Sequence, residues 1–554
     1  MGARWRWSAV LVVALVAACG TAQSTPADNS LPLKTIPTRQ GPAGSVLTQR
    51  GDNTRLGWYA NETTLTTAAV AGPFGRRRSL PVDGKIYAQP LYFSDHGRDI
   101  VVAATEHGTV YAFDAASGAT VWQTSVIEPG ARPFQAATDH VADNRLCDSI
   151  TPEVSITSTP VIDWAARTLY VLALDVESGQ LKYRLNALNL STGKRLRTSS
   201  VVAATVDGTG LDAVGSKVSF SAKDEQQRMG LALVDGTVYA GFGSWCGLAP
   251  YHGWLFGFRV NDDRAPTLDQ SVTYNTSPDD YAAGLWESQA GVTADEHGDV
   301  LLVTGNGSFN LDRGGHNAGD TVLRLRREGG TLRPVDTFTP YDQECRARHD
   351  QDLGSGSPLV VPGHDELLLS SKTGSVYVLD RDRLGGYTPL TDACKHHDRT
   401  DVDKVKQELT INTVAGGMWG TWAYWRGPTG EYVYGSGAGS RLTQWRLGPD
   451  GRLQPTPKAQ APEAFAFPGA IPVVSSNGST SDTGIVWTVD GKDGATLRAF
   501  DAADIGHELW NSDRDKARDG LDDTGGFNHF VAATVAGGQV FVGDQGHLEI
   551  YGTF

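Results

Sequence analysis

The chain is predicted to be all-β and to close into an eight-bladed β-propeller, with seven blades as the alternative count. Three observations lead there. Short β-branched and aromatic runs ending in an Asp-Ala-x-Ser-Gly-like turn recur along the chain, at 108–118 followed by Trp122, at 185–193, and at 497–504 followed by Trp510. Sixty-five glycines against three methionines favour many tight turns over packed helices. No segment carries a long apolar stripe of 3.6-residue period, so helix is minor.

In chain order, residues 1–18 read as an export signal: Arg4 and Arg6 give a positive start, and 7–18 is an apolar run too short to span a bilayer. The run ends Val16-Ala17-Ala18-Cys19-Gly20, which resembles a bacterial lipobox and would make Cys19 the lipid-modified N-terminus. The alternative is plain secretion with cleavage near Ala22. A Ser/Thr/Pro/Gly-rich stretch, taken as 19–51, reads as a flexible tether, and 52–554 as the propeller.

Sets of about four strands fall near 80–124, 153–199, 227–275, 289–337, 353–413, 414–460 and 466–512. The segment 527–554 supplies only three strands, and the missing fourth is expected from 74–82. A blade shared between the two chain ends would remove both exposed sheet edges. Two separate β-sandwiches are the weaker alternative, because the repeat runs the whole length.

The net charge of −15 argues against nucleic acid and against anionic membrane surfaces, both of which need a basic face. Any membrane contact would then come through the lipid anchor alone, and the protein is expected to be an extracytoplasmic monomer. Cys147, Cys246, Cys345 and Cys394 remain after Cys19, an even number that in an exported chain implies two disulfides. The loops around blades two and three pair Cys147 with Cys246, and those bracketing blade five pair Cys345 with Cys394.

The Tyr-Ala-Phe-Asp-Ala-x-Ser-Gly unit at 111–118, ending at Trp122, resembles the repeat of the quinoprotein alcohol dehydrogenase-like propellers. That superfamily contains pyrroloquinoline quinone (PQQ) dehydrogenases and also lipoproteins without cofactor, so the resemblance specifies fold more than activity. It directs attention to residues 286–381. There it implies Trp286 as the plate under the quinone, Asn306 of Gly305-Asn306 as a Ca²⁺ ligand, Asp350 or Asp352 as the base, and Lys372 as the cation at the cofactor. It also has gaps. Leu248 stands where the family has a glutamate ligand, His252 where it has a cofactor-contacting arginine, and no two cysteines are adjacent.

Each candidate also has an architectural reading: Trp286 as blade packing, Asn306 as a positive-φ turn residue, the aspartates as caps, Lys372 as a surface lysine, His252 as a packed side chain. Gln89, Glu153 and His529 precede predicted innermost strands and are pocket candidates by position. Trp419, Trp422 and Trp425 could form a sugar platform or core, and His396-His397-Asp398 is a weak metal motif. Two functions follow. One is a non-catalytic propeller whose funnel binds a small molecule, a glycan or an extracytoplasmic protein. The other is a PQQ- and Ca²⁺-dependent alcohol or sugar dehydrogenase passing electrons to an external acceptor.

Overall fold

In the computed structural model the recurring turn is the link between the third and fourth strands of a blade. Asp114 Oδ1 accepts both the N–H and the hydroxyl of Ser117 at 2.7 Å, and Gly118 takes φ +76°. Asn189 does the same for Thr192. The tryptophan after the turn ties one blade to the next: Trp122 Nε1 donates to Leu190 O at 3.1 Å, and a Cβ at Gly193 would strike the Trp122 ring. The repeat is therefore written by inter-blade packing as well as by turn geometry.

The structure describes residue 2 and residues 41–554, other than 262–265, 288–289, 493 and 522–526. The expected export signal, apart from residue 2, and Cys19 and most of the expected tether lie outside these residues. No described helix is long and apolar enough to cross a membrane.

Eight antiparallel blades follow one another. Blade 1 is Leu91–Asp95, Arg98–Ala104, Thr109–Asp114 and Thr120–Ser125, and the later blades repeat this order to blade 7, which ends at Glu508–Asn511. Blade 8 is Thr534–Ala536, Gln539–Gly543 and His547–Thr553, completed on the outside by Phe74–Pro81, with Phe74 opposite Thr553 and Pro81 opposite His547. The eight-blade count and the closure by both chain ends agree with the sequence. Both expected disulfides, Cys147–Cys246 and Cys345–Cys394, are formed.

The expected tether boundary needs correction. Residues 46–59 are an inner belt that visits the innermost strands of blades 1 to 7. Val46 exchanges backbone hydrogen bonds with Tyr92, Leu47 O accepts from Ile162, Thr48 Oγ1 donates to Leu231 O, and Asn53 O accepts from Ala294. Thr54 O then accepts from Val360, Leu56 O from Tyr424 and Gly57 O from Val474. Trp58–Tyr59 finally pairs in parallel with Val473–Ser475. Two fully buried arginines rivet the belt. Arg50 donates to Trp422 O, Pro472 O and Arg55 O, and Arg55 donates to Val292 O, Leu231 O and Gln49 O. Buried guanidinium groups need such a full set of acceptors. Residues 46–51 thus belong to the propeller.

Candidate functional site

A funnel of about 620 Å³ opens among the blades, and Gln49 of the belt lines it. Its walls come from the loops that lead into the innermost strands and from those that join the second and third strands of blades 3, 4 and 5.

Trp286, ahead of Thr293–Ala294 in blade 4, lies on backbone. Cβ atoms at Gly243, Gly284 or Gly305 would each run into its indole, so three glycines make the bed on which it rests. Its Nε1 is buried without a hydrogen-bond partner, and the Tyr251 ring meets it edge-on at 5.8 Å.

Next to it stands a polar cluster. Asp352 is buried; its Oδ1 accepts the Asn306 N–H at 2.6 Å and its Oδ2 lies 2.5 Å from Lys372 Nζ. Asp350 is exposed, and its Oδ1 accepts from Asn306 Nδ2 at 2.9 Å and from Lys372 Nζ at 2.8 Å. Burial would lower the Lys372 pKa, but the Asp352 charge and the bonds to both carboxylates outweigh it and raise the ammonium above its ordinary value. The same ammonium sits 4.5 Å from the centroid of the Trp419 ring. Trp419 packs edge-on against Phe467 at 5.1 Å, and Phe467 meets His529 at 5.9 Å. Burial, then the nearby Lys85 charge, lowers the His529 pKa.

Trp286, Asn306, Asp350, Asp352, Lys372 and His529 therefore all line one cavity. Asn306 has no positive φ, so its turn-residue reading fails, and its Oδ1 is buried without a partner.

Other expectations are corrected. His252 is fully buried away from the funnel; its Nε2 lies 2.9 Å from Asp212 Oδ1 and its Nδ1 3.0 Å from Ser277 O. It pins the ribbon Thr205–Asp207/Lys217–Ser219 to blade 3 and cannot contact a funnel ligand. Gln89 does not line the cavity, accepting from Arg50 N and donating to Tyr59 and Thr534. Glu153 is tied to His107 and Gln135 outside the cavity. Trp422 and Trp425 are core, while Trp419 precedes its strand, Ala423–Gly427, so no three-tryptophan platform exists.

The metal readings also weaken. His397 Nδ1 bonds to Cys394 O, and the described group of His/Cys/Asp/Glu with metal spacing is instead Asp544, His547 and Glu549 in blade 8, none of which lines the cavity. Ca²⁺ wants six to eight oxygens. Here the Lys372 ammonium already bonds both carboxylates, and Leu248 packs against the apolar core of blade 3 with no oxygen to give. The donor set fits the ammonium and does not fit Ca²⁺ at Asn306.

Residues that the sequence did not single out complete the opposite wall: Tyr87, Thr157, Arg228 and Ser244, with Cys246 of the Cys147–Cys246 disulfide and its neighbour Gly247 at the rim. Arg228 precedes its innermost strand, Ala232–Val234, as Trp286, Trp419 and His529 precede theirs, and that position was the one available signal.

No family model and no curated protein matches the chain. Solved structures do. The quinohemoprotein alcohol dehydrogenase ADHIIG from Pseudomonas putida HK5 aligns over 92% of this chain and 80% of its own, with a TM-score of 0.58 at 14% identity. The fold is that of the PQQ-type β-propellers. The quinohemoprotein alcohol dehydrogenase from Comamonas testosteroni gives the same figures, and a europium-containing methanol dehydrogenase aligns over 92% of this chain and 98% of its own at 13% identity, TM-score 0.56. At such identities the likeness is one of architecture.

Proposed function

We propose that this PQQ-like propeller is an exported, lipid-anchored protein whose funnel binds a small planar organic molecule. One observation carries the binding reading: Trp286 on its glycine bed, the Asp350–Lys372–Asp352 cluster and Trp419 line one cavity of about 620 Å³. Aromatic plates with a few fixed polar groups in a concave site are the usual construction of a small-molecule pocket. Export and anchoring rest on Arg4, Arg6, the apolar run 7–18 and Cys19.

A second reading, a quinoprotein dehydrogenase, is favoured by the convergence of Trp286, Asn306, Asp352 and Lys372 in the place the family resemblance implies. Trp286 and Lys372 would hold PQQ, which when bound supplies a two-electron acceptor for alcohol oxidation. Against it, both Asp352 oxygens are engaged by Asn306 and Lys372, and the Ca²⁺ donors do not fit.

The test is a tryptophan-fluorescence titration of the purified chain with PQQ and with planar aromatic acids and amides, with and without Ca²⁺, alongside dye reduction on a panel of alcohols and sugars. The binding reading expects saturable quenching, weakened at least tenfold by Trp286→Ala, without dye reduction. Ca²⁺-dependent PQQ binding with dye reduction would replace it by the dehydrogenase. No saturable binding of any compound would end both.

A further inference from the structure

The funnel is chemically two-sided. On the Lys372 side every charge has its partner. Across from it, Arg228 faces the cavity with one hydrogen bond, a long one of 3.4 Å to Gln226 Oε1, and no ion pair among the described residues. A guanidinium has five N–H donors, and a partly buried one that spends only a single long hydrogen bond is an anion receptor. Thr157 lines the same cavity, with its hydroxyl hydrogen spent on Glu106. Behind it lies Glu106, 1% exposed, whose Oε2 accepts from Ser155 N at 2.8 Å and from Thr157 Oγ1 at 3.2 Å, while its Oε1 is buried without a partner.

We propose that Arg228 forms an anion subsite that takes the carboxylate of a planar organic acid in the funnel, and that Glu106 sets the pH range over which it does so. The inference rests on the small-molecule reading above and names the ligand class for it.

Arg228 can offer its donors because its surroundings stay uncharged. The groups acting on it are Glu106 and the phenols of Tyr87 and Tyr183, and Lys85 faces Glu106 from its other side. Burial pushes Glu106 up to about 7 and Tyr87 up to about 12, so at mildly acidic pH the wall carries the Arg228 charge without a carboxylate opposing it. As pH rises through about 7, Glu106 ionises, competes for the guanidinium and repels a bound carboxylate. Anion affinity then falls with rising pH. The Asp350–Lys372–Asp352 cluster sets two carboxylates against one ammonium, is net negative, and supplies no cation to an anion.

The experiment compares naphthalene-2-carboxylate with naphthalene-2-carboxamide, two probes of one shape and different charge, by fluorescence titration of the full chain at pH 6 and 8.5. The carboxylate is expected to bind at least tenfold tighter than the amide at pH 6 and to lose most of that preference at pH 8.5. Arg228→Gln should erase the preference while leaving amide affinity within twofold, Arg228→Lys should restore part of it, and Glu106→Gln should make carboxylate affinity independent of pH. Equal binding of the two probes, or equal weakening of both by Arg228→Gln, overturns the subsite and leaves funnel binding standing. Binding of neither probe overturns the funnel reading and the subsite with it. A preference that Glu106→Gln leaves pH-dependent overturns the role of Glu106.

Discussion

Lys372 Nζ lies 2.5 Å from Oδ2 of Asp352, and the two side chains are only 12% and 7% exposed. A buried ion pair is worth little net, yet removing one partner leaves an uncompensated charge and costs about 3–5 kcal/mol. Asp352→Ala should therefore destabilise the propeller by roughly 3 kcal/mol in urea unfolding, since Lys372 keeps only the exposed Asp350. Asp350→Ala, at a side chain 78% exposed, should leave the unfolding midpoint near that of the parent. Equal losses from the two substitutions would refute this division of the cluster.

Arg50 makes the belt dependent on two side chains. Its loss would orphan the carbonyls of Trp422 and Pro472 in a dry interior. Arg50→Ala should cost on the order of 3 kcal/mol and open 46–59 to limited proteolysis before the blades are cut. Cleavage inside a blade first would show that the belt is dispensable.

Glu287 sits behind Trp286, accepting the Val303 N–H at 2.7 Å. Burial pushes its carboxyl up to about 8, against the Val303 hydrogen bond and the Arg55 charge. The folded state holds this proton where the unfolded chain, near 4.5, has released it. Its contribution is thus complete below about pH 4.5 and is lost as pH rises towards 8. Glu287→Gln should flatten the fall in urea midpoint between pH 5 and 8; an unchanged slope would assign that fall to other groups.

The Cys147–Cys246 bridge spans 99 residues of sequence and joins the blade 1–2 connection to blade 3. Chain-entropy reasoning gives about 4–5 kcal/mol for a loop of that size. Replacing both cysteines by serine should lower the melting temperature and also weaken ligand binding, because Cys246 lines the funnel. A loss of stability with unaltered affinity would show the rim to be passive.

His252 offers a contrast. Although it stands where the resemblance put a cofactor contact, it is bonded to Asp212 and Ser277 inside blade 3. His252→Gln should loosen the ribbon ending at Lys217–Ser219, seen as faster amide exchange there, and leave funnel affinity unchanged.

The blades were legible because strand alternation, the Asp-x-x-Ser-Gly turn and the following Trp are local features, each caused by neighbours a few residues or one blade away. Asp114, Gly118 and Trp122 do in the structure what their spacing implied. The shared eighth blade followed from counting strands, and the cysteine partners from blade order. Trp286, Asn306, Asp352 and Lys372 could be named only through the family resemblance, which points to positions beside strands.

What the chain alone did not disclose depends on closure of the ring. The belt bonds to its surroundings mostly through main-chain groups and through Arg50 and Arg55, which leaves no hydrophobic periodicity to read, and its composition is that of a linker. Whether a side chain ahead of a strand reaches the funnel depends on the partners it meets once the ring is closed. Arg228 and Trp419 reach it, Glu153 and Gln89 do not, and His252 is turned into the blade. The sequence determined the blades and the residues at their mouths; only the closed ring decided which of them share a cavity, because that cavity is bounded by groups hundreds of residues apart that meet through no local pattern.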